Sequence, residues 1–376
     1  MNIQGLSPYS NRSAQGRNYD RHSANICGAW CTLLPPPESC RTLTHRLREA
    51  MLAIAGCNRH WCAIPLQGSG TFATEAMLCS LLSATDHLLI ITNGDSADRM
   101  IEIAHIHHIR YSVLTLDKQR GIDLARVAQS LAQDHTITHL AAVHFETQFG
   151  VKNEIDGLAR LATQYGCRLL VDISATFGVL PVNFTAPGLA AAALSISQCL
   201  HGAPGMAFVL VRHNELTPSA PPRVFSLDLK AQYQALKEHG QWRFTPPLQV
   251  MQALQQAIDA YQRQGGREAR FQLYCQRMIY LLQGMAASGF QPLVEPQHCA
   301  PLFVTLVTQE PIDFHALDEQ LRWLQTPLAV SRNGASSLRI GIQGEMEASD
   351  IDDLLATIKV VMLPSSRLPR QQVTSE

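Results

Sequence analysis

Length, composition and charge place this chain among ordinary globular proteins. It has 376 residues, of which 46% are apolar and 16% charged, so it can bury more than one core and is too apolar to be disordered. Thirty Lys and Arg residues are balanced by 31 Asp and Glu residues, which gives a formal charge of -1. Since no excess of basic residues marks a surface for nucleic acid or an anionic membrane, we expect neither as a partner.

The N-terminus and the cysteines indicate a reducing compartment. Residues 1–21 are polar and lack the apolar core of a signal peptide, and no stretch reaches the roughly 18 apolar residues of a spanning helix. We therefore expect a cytoplasmic protein. The ten cysteines are irregularly spaced, which favours free thiols over disulfides. Cys57, His60 and Cys62 lie close together without the paired spacing of a structural zinc site, so we expect no metal.

The chain is predicted to begin with an arm and to continue with alternating strands and helices. Residues 1–46 are rich in Ser, Asn, Arg and Pro, and Pro35-Pro36-Pro37 predicts an extended segment there. The pattern that follows predicts helices at 47–55, 71–82, 96–107, 123–133 and 154–165, and strands or apolar runs at 61–66, 87–92, 110–116, 138–144, 168–172, 191–197 and 206–212. Strands separated by helices in this way are typical of a parallel sheet, which we place in a large domain over 47–246.

The C-terminal part has a different texture. Residues 247–288 are rich in Gln, Arg, Ala and Leu, with Gly265-Gly266 as a break, and predict a connecting helical segment. A smaller domain over 289–363 is predicted to contain strands at 301–307 and 337–342 and helices at 313–324 and 348–363. The tail, 364–376, is expected to be disordered. The predicted fold class is α/β, with a mainly parallel sheet and a smaller C-terminal α/β domain.

Two motifs at predicted strand ends are suited to binding a ligand. Gly68-Ser69-Gly70-Thr71 follows a strand and opens a helix, so free N–H groups and two hydroxyls converge there, as a phosphate requires. Such turns are also common connectors. Asp172 ends another strand, at the edge where parallel sheets bind ligands, although an Asp at that place can also cap a loop or helix.

Two further segments place polar residues in apolar surroundings. The loop 195–205 is bounded by Gly and Pro and is either part of a site or an ordinary turn. Arg339 stands alone in the apolar run Leu338-Arg339-Ile340-Gly341 and must meet an anion or a solvated edge.

The order of these segments and their residues resemble those of the 2-aminoethylphosphonate:pyruvate aminotransferases, which are fold-type I pyridoxal-phosphate (PLP) enzymes. The resemblance covers 47–362 and is carried by LQGSGTFATEAML (66–78), ITNGDSADRM (91–100), VHFETQFG (143–150), LVDISATFG (170–178), SQCLHGAPGMAFVLVR (197–212), SLDL (226–229), HGQWRFTPP (239–247) and LRIGIQG (338–344). It implies the fold-type I architecture, a homodimer, PLP as the cofactor, and an aminophosphonate or an amino or keto acid as the substrate.

The resemblance also assigns roles to single residues. The Ser69-Gly70-Thr71 turn matches the loop that holds the cofactor phosphate, and Asp172 matches the aspartate that pairs with the pyridinium nitrogen. Thr245 matches a position expected to reach the phosphate across a dimer interface. Arg339 matches the arginine that binds the substrate carboxylate, a bidentate task suited to a guanidinium group.

The match breaks at the Schiff-base lysine. In the family this lysine lies in a segment of the form Ser-x-x-Lys-Cys-x-x-Gly-x-Pro-Gly, where this chain has Gln198. A carboxamide neither bonds covalently to the cofactor aldehyde nor serves as the amine base, a loss that typically costs about 10²- to 10⁴-fold in rate. None of the five lysines lies in this segment. We therefore expect any PLP in this chain to be bound non-covalently. A second departure is Ser96, at the position of the aromatic that stacks on the cofactor.

Three functions stay open. The first is the family reaction, in which 2-aminoethylphosphonate and pyruvate give phosphonoacetaldehyde and alanine; Gln198 stands against it. The second is a lysine-less enzyme that uses PLP or pyridoxamine phosphate for another reaction, with His201 as a speculative base, although a solvent-exposed loop histidine is the simpler interpretation. The third is a non-catalytic dimeric scaffold or regulatory homologue. The retention of the phosphate turn, Asp172 and Arg339 together keeps cofactor binding open.

Overall fold

The computed structural model describes residues 37–217, 222–309, 312–324, 329–332 and 337–362. They form a seven-stranded sheet with flanking helices, a four-stranded sheet and a short two-stranded hairpin. The expectations for residues 1–36 and for the tail 364–376 lie outside the described residues. In the described ranges, no helix is long and apolar enough to cross a membrane.

The helices are α1 (Pro37–Ala55), α2 (Gly70–Leu81), α3 (Asp95–Ile106), α4 (Leu124–Gln133), α5 (Ile155–Gln164), α6 (Leu229–His239), α7 (Leu248–Arg263), α8 (Gly266–Ala286), α9 (Phe314–Leu324) and α10 (Ala348–Met362). The strands are β1 (Trp61–Gln67), β2 (Leu88–Thr92), β3 (Tyr111–Thr115), β4 (His139–Val143), β5 (Phe145–Glu146), β6 (Val151–Lys152), β7 (Arg168–Asp172), β8 (Leu189–Ser195), β9 (Met206–Arg212), β10 (Gln291–Pro292), β11 (Phe303–Val307), β12 (Ala329–Arg332) and β13 (Ser337–Gly341).

The large sheet has the order β1-β9-β8-β7-β4-β2-β3. Strands β8, β7, β4, β2 and β3 pair in parallel, and β9 is antiparallel to both of its neighbours, so it alone runs in the opposite direction. The predicted mainly parallel sheet is confirmed. Because the other strands share one direction, their carboxyl ends meet at one edge of the sheet: Gln67, Thr92, Thr115, Val143, Asp172 and Ser195.

Helices cover both faces of this sheet, which explains the continuous apolar runs of its strands. Strands β2, β4 and β8 are buried at every residue. In β2, Leu89 and Ile91 belong to one hydrophobic cluster, whereas Leu88 and Ile90 belong to the cluster on the opposite face. Such two-sided burial is typical of parallel sheets, because the crossover helices lie on both faces.

The smaller sheet has the order β10-β11-β13-β12 and is antiparallel throughout. Its apolar residues join helices α8 and α10 in a third core, in which Tyr274, Leu306, Ile340 and Leu354 are fully buried. This is the predicted smaller α/β unit. The domain boundaries themselves stay predictions.

Helix α1 corrects the predicted arm. The sequence analysis extended the arm to residue 46 and began the helix at Leu47, but α1 begins at Pro37. A proline at the first helical position lacks only an N–H group that has no intrahelical partner there, so Pro37 can start a helix. Leu47 and Met51 in α1 are fully buried, which anchors the helix to the large core.

The helical region after β9 also differs from the prediction. The predicted break at Gly265-Gly266 is confirmed, since α7 ends at Arg263 and α8 begins at Gly266. The sequence analysis missed α6, which begins after Asp228. The Asp228 carboxylate accepts a hydrogen bond from the N–H of Ala231 and so caps this helix.

Candidate active site

Asp172 ends β7 at the carboxyl edge of the large sheet, and two hydrogen bonds hold its carboxylate. Thr74 Oγ1 in α2 donates to Oδ2 at 2.8 Å, and the Ser174 N–H donates to Oδ1 at 2.8 Å. The His144 N–H donates to the Asp172 carbonyl, also at 2.8 Å. One carboxylate oxygen therefore caps the following turn, as the simpler interpretation expected, while the other is fixed by a helix of the proposed phosphate site.

The turn between β1 and α2 is built by two glycines. Gly68 has φ 128°, a conformation that favours glycine, and its N–H donates to the Gly205 carbonyl at 2.9 Å. At Gly70, a Cβ atom would lie 2.4 Å from Ser174 Oγ and 3.4 Å from Ser195 Cβ, so no side chain fits. Ser69 is the N-cap residue of α2 but makes no capping hydrogen bond with its side chain. The first N–H groups of α2 lack intrahelical partners, which suits an anion.

The surroundings of Gly70 fit a phosphate group. Ser174 Oγ is buried and has no hydrogen-bond partner among the described residues, an arrangement that costs free energy unless a ligand or water completes it. The Ser195 and Ser197 hydroxyls lie 3.0 Å apart and share one hydrogen bond. Together with the helix N-terminus, this donor set fits the phosphate of PLP, and the Asp172 carboxylate fits its pyridinium nitrogen.

Gln198 follows β8 in the same edge of the sheet. It is half-buried, and its side chain has no hydrogen-bond partner in the described part of the chain. The backbone beside it is held firmly: Arg270 Nη1 in α8 donates to the Cys199 carbonyl at 2.8 Å, and Gln343 Nε2 lies 3.4 Å from Cys199 Sγ. The site therefore offers a carboxamide, and not an amine, at this position.

The structure argues against the base proposed at His201. Its Nε2 lies 2.6 Å from Tyr274 Oη, and its backbone is left-handed with φ 56°. Burial, with the nearby Arg270 and Arg277, lowers the pKa of His201 to about 3. Because so weak a base holds a proton poorly at neutral pH, the geometry does not favour proton transfer at His201. The alternative of a solvent-exposed loop histidine is also wrong, since the residue is half-buried and its side chain forms a hydrogen bond with Tyr274 in α8.

Glu146 is a buried carboxylate that the sequence analysis missed. Its Oε2 accepts the Ser96 N–H at 3.0 Å, and its Oε1 accepts Ser96 Oγ and the Gln148 N–H, each at 3.0 Å. Burial raises the pKa of Glu146. Ser96, at the position where the resemblance led us to expect a stacking aromatic, thus holds a carboxylate. The signal that could have identified this buried carboxylate is a single Glu shortly after the apolar strand β4.

Arg339 joins the smaller sheet to the segment that follows Glu146. The residue lies on β13, and its Nη1 donates to the Thr147 carbonyl at 3.1 Å. Burial lowers the pKa of Arg339, whereas the charges of Glu146 and Asp95 raise it. Of the two expectations for this lone arginine, an anion or a solvated edge, the negative charges of Glu146 and Asp95 favour the anion, while the bond to Thr147 satisfies Nη1.

Thr245 lies near the phosphate turn of its own chain. It is exposed, and its carbonyl accepts a hydrogen bond from Gln67 Nε2, one residue before Gly68. Its predicted reach across a dimer interface stays a prediction.

Two buried histidines at the ends of β4 predict instability in acid. Burial lowers the pKa of His139 and of His144 to about 4, and Lys152 adds to the effect at His144. In the unfolded chain a histidine titrates near about 6.5. Between these values the unfolded chain binds protons that the folded chain does not, so the free energy of unfolding should fall as the pH decreases from about 6.5 to about 4, on the order of 3 kcal/mol for each. Urea unfolding at a series of pH values measures this slope.

His139→Gln should make that slope less steep, because it removes one of the buried histidines whose pKa is lowered. The matched control is His105→Gln, at an exposed position on α3. Equal slopes in the two variants would contradict the assignment to buried histidines.

Comparisons with known proteins assign this chain to a family. Residues 60–354 match the model of the class-V aminotransferases, which is most of the chain. The chain belongs to the class-V aminotransferase family. A protein of Phocaeicola vulgatus named 2-aminoethylphosphonate–pyruvate transaminase is 34% identical over 326 residues, covering 85% of this chain and 90% of the relative. A Burkholderia ambifaria protein of the same name is 32% identical over 342 residues, covering 89% of this chain and 90% of the relative.

Solved structures give the fold of this class-V chain. Alanine–glyoxylate aminotransferase from Nostoc sp. superposes with a TM-score of 0.80 at 19% identity, over 90% of this chain and 92% of the other. Pyridoxamine–pyruvate aminotransferase from Mesorhizobium loti superposes with a TM-score of 0.76 at 19% identity, over 90% and 94%. The predicted fold-type I architecture is confirmed, and the class-V family implies PLP as the cofactor.

Proposed function

We propose that this class-V chain is a homologue of the 2-aminoethylphosphonate–pyruvate transaminases that binds PLP or pyridoxamine phosphate without a covalent bond and has lost lysine-dependent transamination. The observation that carries the proposal is Gln198, which puts a carboxamide where the resemblance expects the lysine. The hydrogen bonds that hold Asp172 and the turn 68–71 at the carboxyl edge of the sheet support cofactor binding.

Different residues of this chain bind the two ends of the cofactor. The turn 68–71 binds the phosphate group, because the N–H groups of α2 and the nearby hydroxyls converge there. Asp172 faces the positive charge of the ring nitrogen, and Thr74 keeps its carboxylate in place. When bound, the cofactor supplies an electron sink for reactions at an amine-bearing carbon.

Proton transfer is the step that this site cannot carry out in the way of the family. A carboxamide does not accept a proton at neutral pH, so Gln198 cannot take the proton that the family's lysine moves. His201 offers no replacement, because its Nε2 is hydrogen-bonded to Tyr274 Oη and its pKa is lowered. Arg339 keeps a substrate-binding role in this proposal, with 2-aminoethylphosphonate or an amino or keto acid as the ligand class.

Two copies of the chain complete the proposed assembly. Thr245 is exposed, and the neighbouring Phe225 and Phe244 expose 74% and 43% of their surface. Arg243 lies over both rings, at 5.0 and 5.1 Å from their centroids. An exposed aromatic patch beside Thr245 supports a homodimer in which this segment is covered.

The test is an absorbance titration of the purified protein with PLP, followed by 2-aminoethylphosphonate and pyruvate. We expect saturable binding that gel filtration reverses, and alanine formation no faster than without protein. Alanine formation at the rate of an ordinary transaminase would refute the loss of activity. If PLP and pyridoxamine phosphate both fail to bind, the cofactor part of the proposal is wrong and the scaffold function takes its place.

A further inference from the structure

Several hydroxyl donors beside the turn 68–71 lack an acceptor among the described residues. Each serine hydroxyl has one proton to donate. Ser174 Oγ is buried and donates to no described residue, and Ser69 makes no capping bond. Ser195 and Ser197 share a single hydrogen bond, so one of their two protons is also left over. The site therefore presents several unused donors at the N-terminus of α2.

The nearby carboxylate does not use these donors. Asp172 Oδ2 accepts from Thr74 and Oδ1 accepts from the Ser174 backbone N–H, so the Ser174 hydroxyl is not one of its partners. The same hydroxyl lies against Gly70, where a Cβ would approach it to 2.4 Å. It is thus directed to the helix end and not to the ring-nitrogen partner.

An acceptor with several charged oxygens satisfies this arrangement. A hydroxyl that donates to a phosphate oxygen makes a charge-assisted bond, stronger than one to a neutral acceptor. The free N–H groups of α2 favour the same negative charge.

We propose that the Ser174 hydroxyl donates a hydrogen bond to the phosphate group of the bound cofactor, as a ligand additional to the turn 68–71. The inference rests on the proposed function, because it concerns the phosphate ester of PLP or pyridoxamine phosphate. It also explains how a chain without a covalent tether can bind the cofactor, since each added donor lowers the dissociation constant.

Ser174→Ala tests this role, and Ser288→Ala is its matched control. Ser288 is another half-buried serine whose Oγ is buried and unpartnered among the described residues, but it follows α8, far along the chain. Binding of pyridoxamine phosphate is followed by absorbance, and binding of inorganic phosphate by the shift in thermal unfolding. Unloaded stability should be kept or raised in both variants, because each removes an unsatisfied buried group.

We expect Ser174→Ala to raise the Kd of pyridoxamine phosphate by about tenfold to a hundredfold and to weaken the binding of inorganic phosphate as well. Ser288→Ala should change the affinity for neither probe. If Ser174→Ala binds both probes as tightly as the unaltered protein, this inference is overturned, but the proposed function is not. If Ser174→Ala binds pyridoxamine phosphate more weakly but binds inorganic phosphate with unchanged affinity, the inference is also overturned, because the hydroxyl then acts on another part of the cofactor. If the unaltered protein binds neither probe, this inference and the cofactor part of the proposed function fail together.

Discussion

Gln198→Lys is expected to convert a reversible cofactor site into a covalent one. The side chains are similar in length, and Gln198 is half-buried without a side-chain hydrogen bond in the described chain, so the exchange breaks no hydrogen bond there. After incubation with PLP, the variant should stay coloured through gel filtration and, after borohydride reduction, gain the mass of the cofactor. Alanine formation from 2-aminoethylphosphonate and pyruvate should rise by at least about 10²-fold, since an amine base returns.

Gln255→Lys is the control for this experiment. Gln255 is also half-buried, on α7, where its Nε2 donates to Asp259 Oδ1, and the substitution adds the same charge. It should retain no cofactor. A folded Gln198→Lys variant that releases all PLP on gel filtration would show that position 198 does not face the cofactor, and it would remove the main support of the proposed function.

Asp172→Asn is expected to weaken PLP binding by about tenfold to a hundredfold. The substitution keeps the shape of the side chain and leaves an oxygen for the Ser174 N–H, but it removes the negative charge that pairs with the ring nitrogen. A titration by absorbance or by quenching of protein fluorescence gives the Kd of each protein.

Asp123→Asn serves as the matched control, because Asp123 caps α4 through bonds from two backbone N–H groups and is exposed. Both variants lose a capping carboxylate, but only Asp172→Asn should lose PLP affinity. Equal affinity in all three proteins would mean that Asp172 is only the cap of its turn.

The sheet could be predicted from the sequence because its strands are buried on both faces. Apolar runs such as β4 and β8 alternate with helices whose apolar residues recur at helical spacing, and both signals are local. Helix α6 carried a weaker signal, since only Leu229, Gln232 and Leu236 in it are buried. The start of α1 was missed because a proline-rich run usually ends a helix, although a single proline is tolerated at its first position.

Within the site, the ligand groups at strand ends were predictable, but their partners were not. The turn 68–71 and Asp172 have local signatures, since each stands directly at the end of a strand. Glu146 depends on Ser96, fifty positions earlier, and His201 depends on Tyr274, 73 positions later. Without the fold, neither pair can be recognised, so the burial of Glu146 and the weak basicity of His201 emerge only from the packing.

The bond from the Gly68 N–H to the Gly205 carbonyl bears on how a reversible ligand is retained. Because this bond joins the turn to the start of β9, and the carbonyl of Thr245 is tied to Gln67, the receptor for the phosphate is already ordered in the free chain. Ordering one residue costs about 1–2 kcal/mol of conformational entropy, which a flexible loop would subtract from affinity. A rigid receptor of this kind suits a cofactor that leaves and returns, since association requires little rearrangement of the protein.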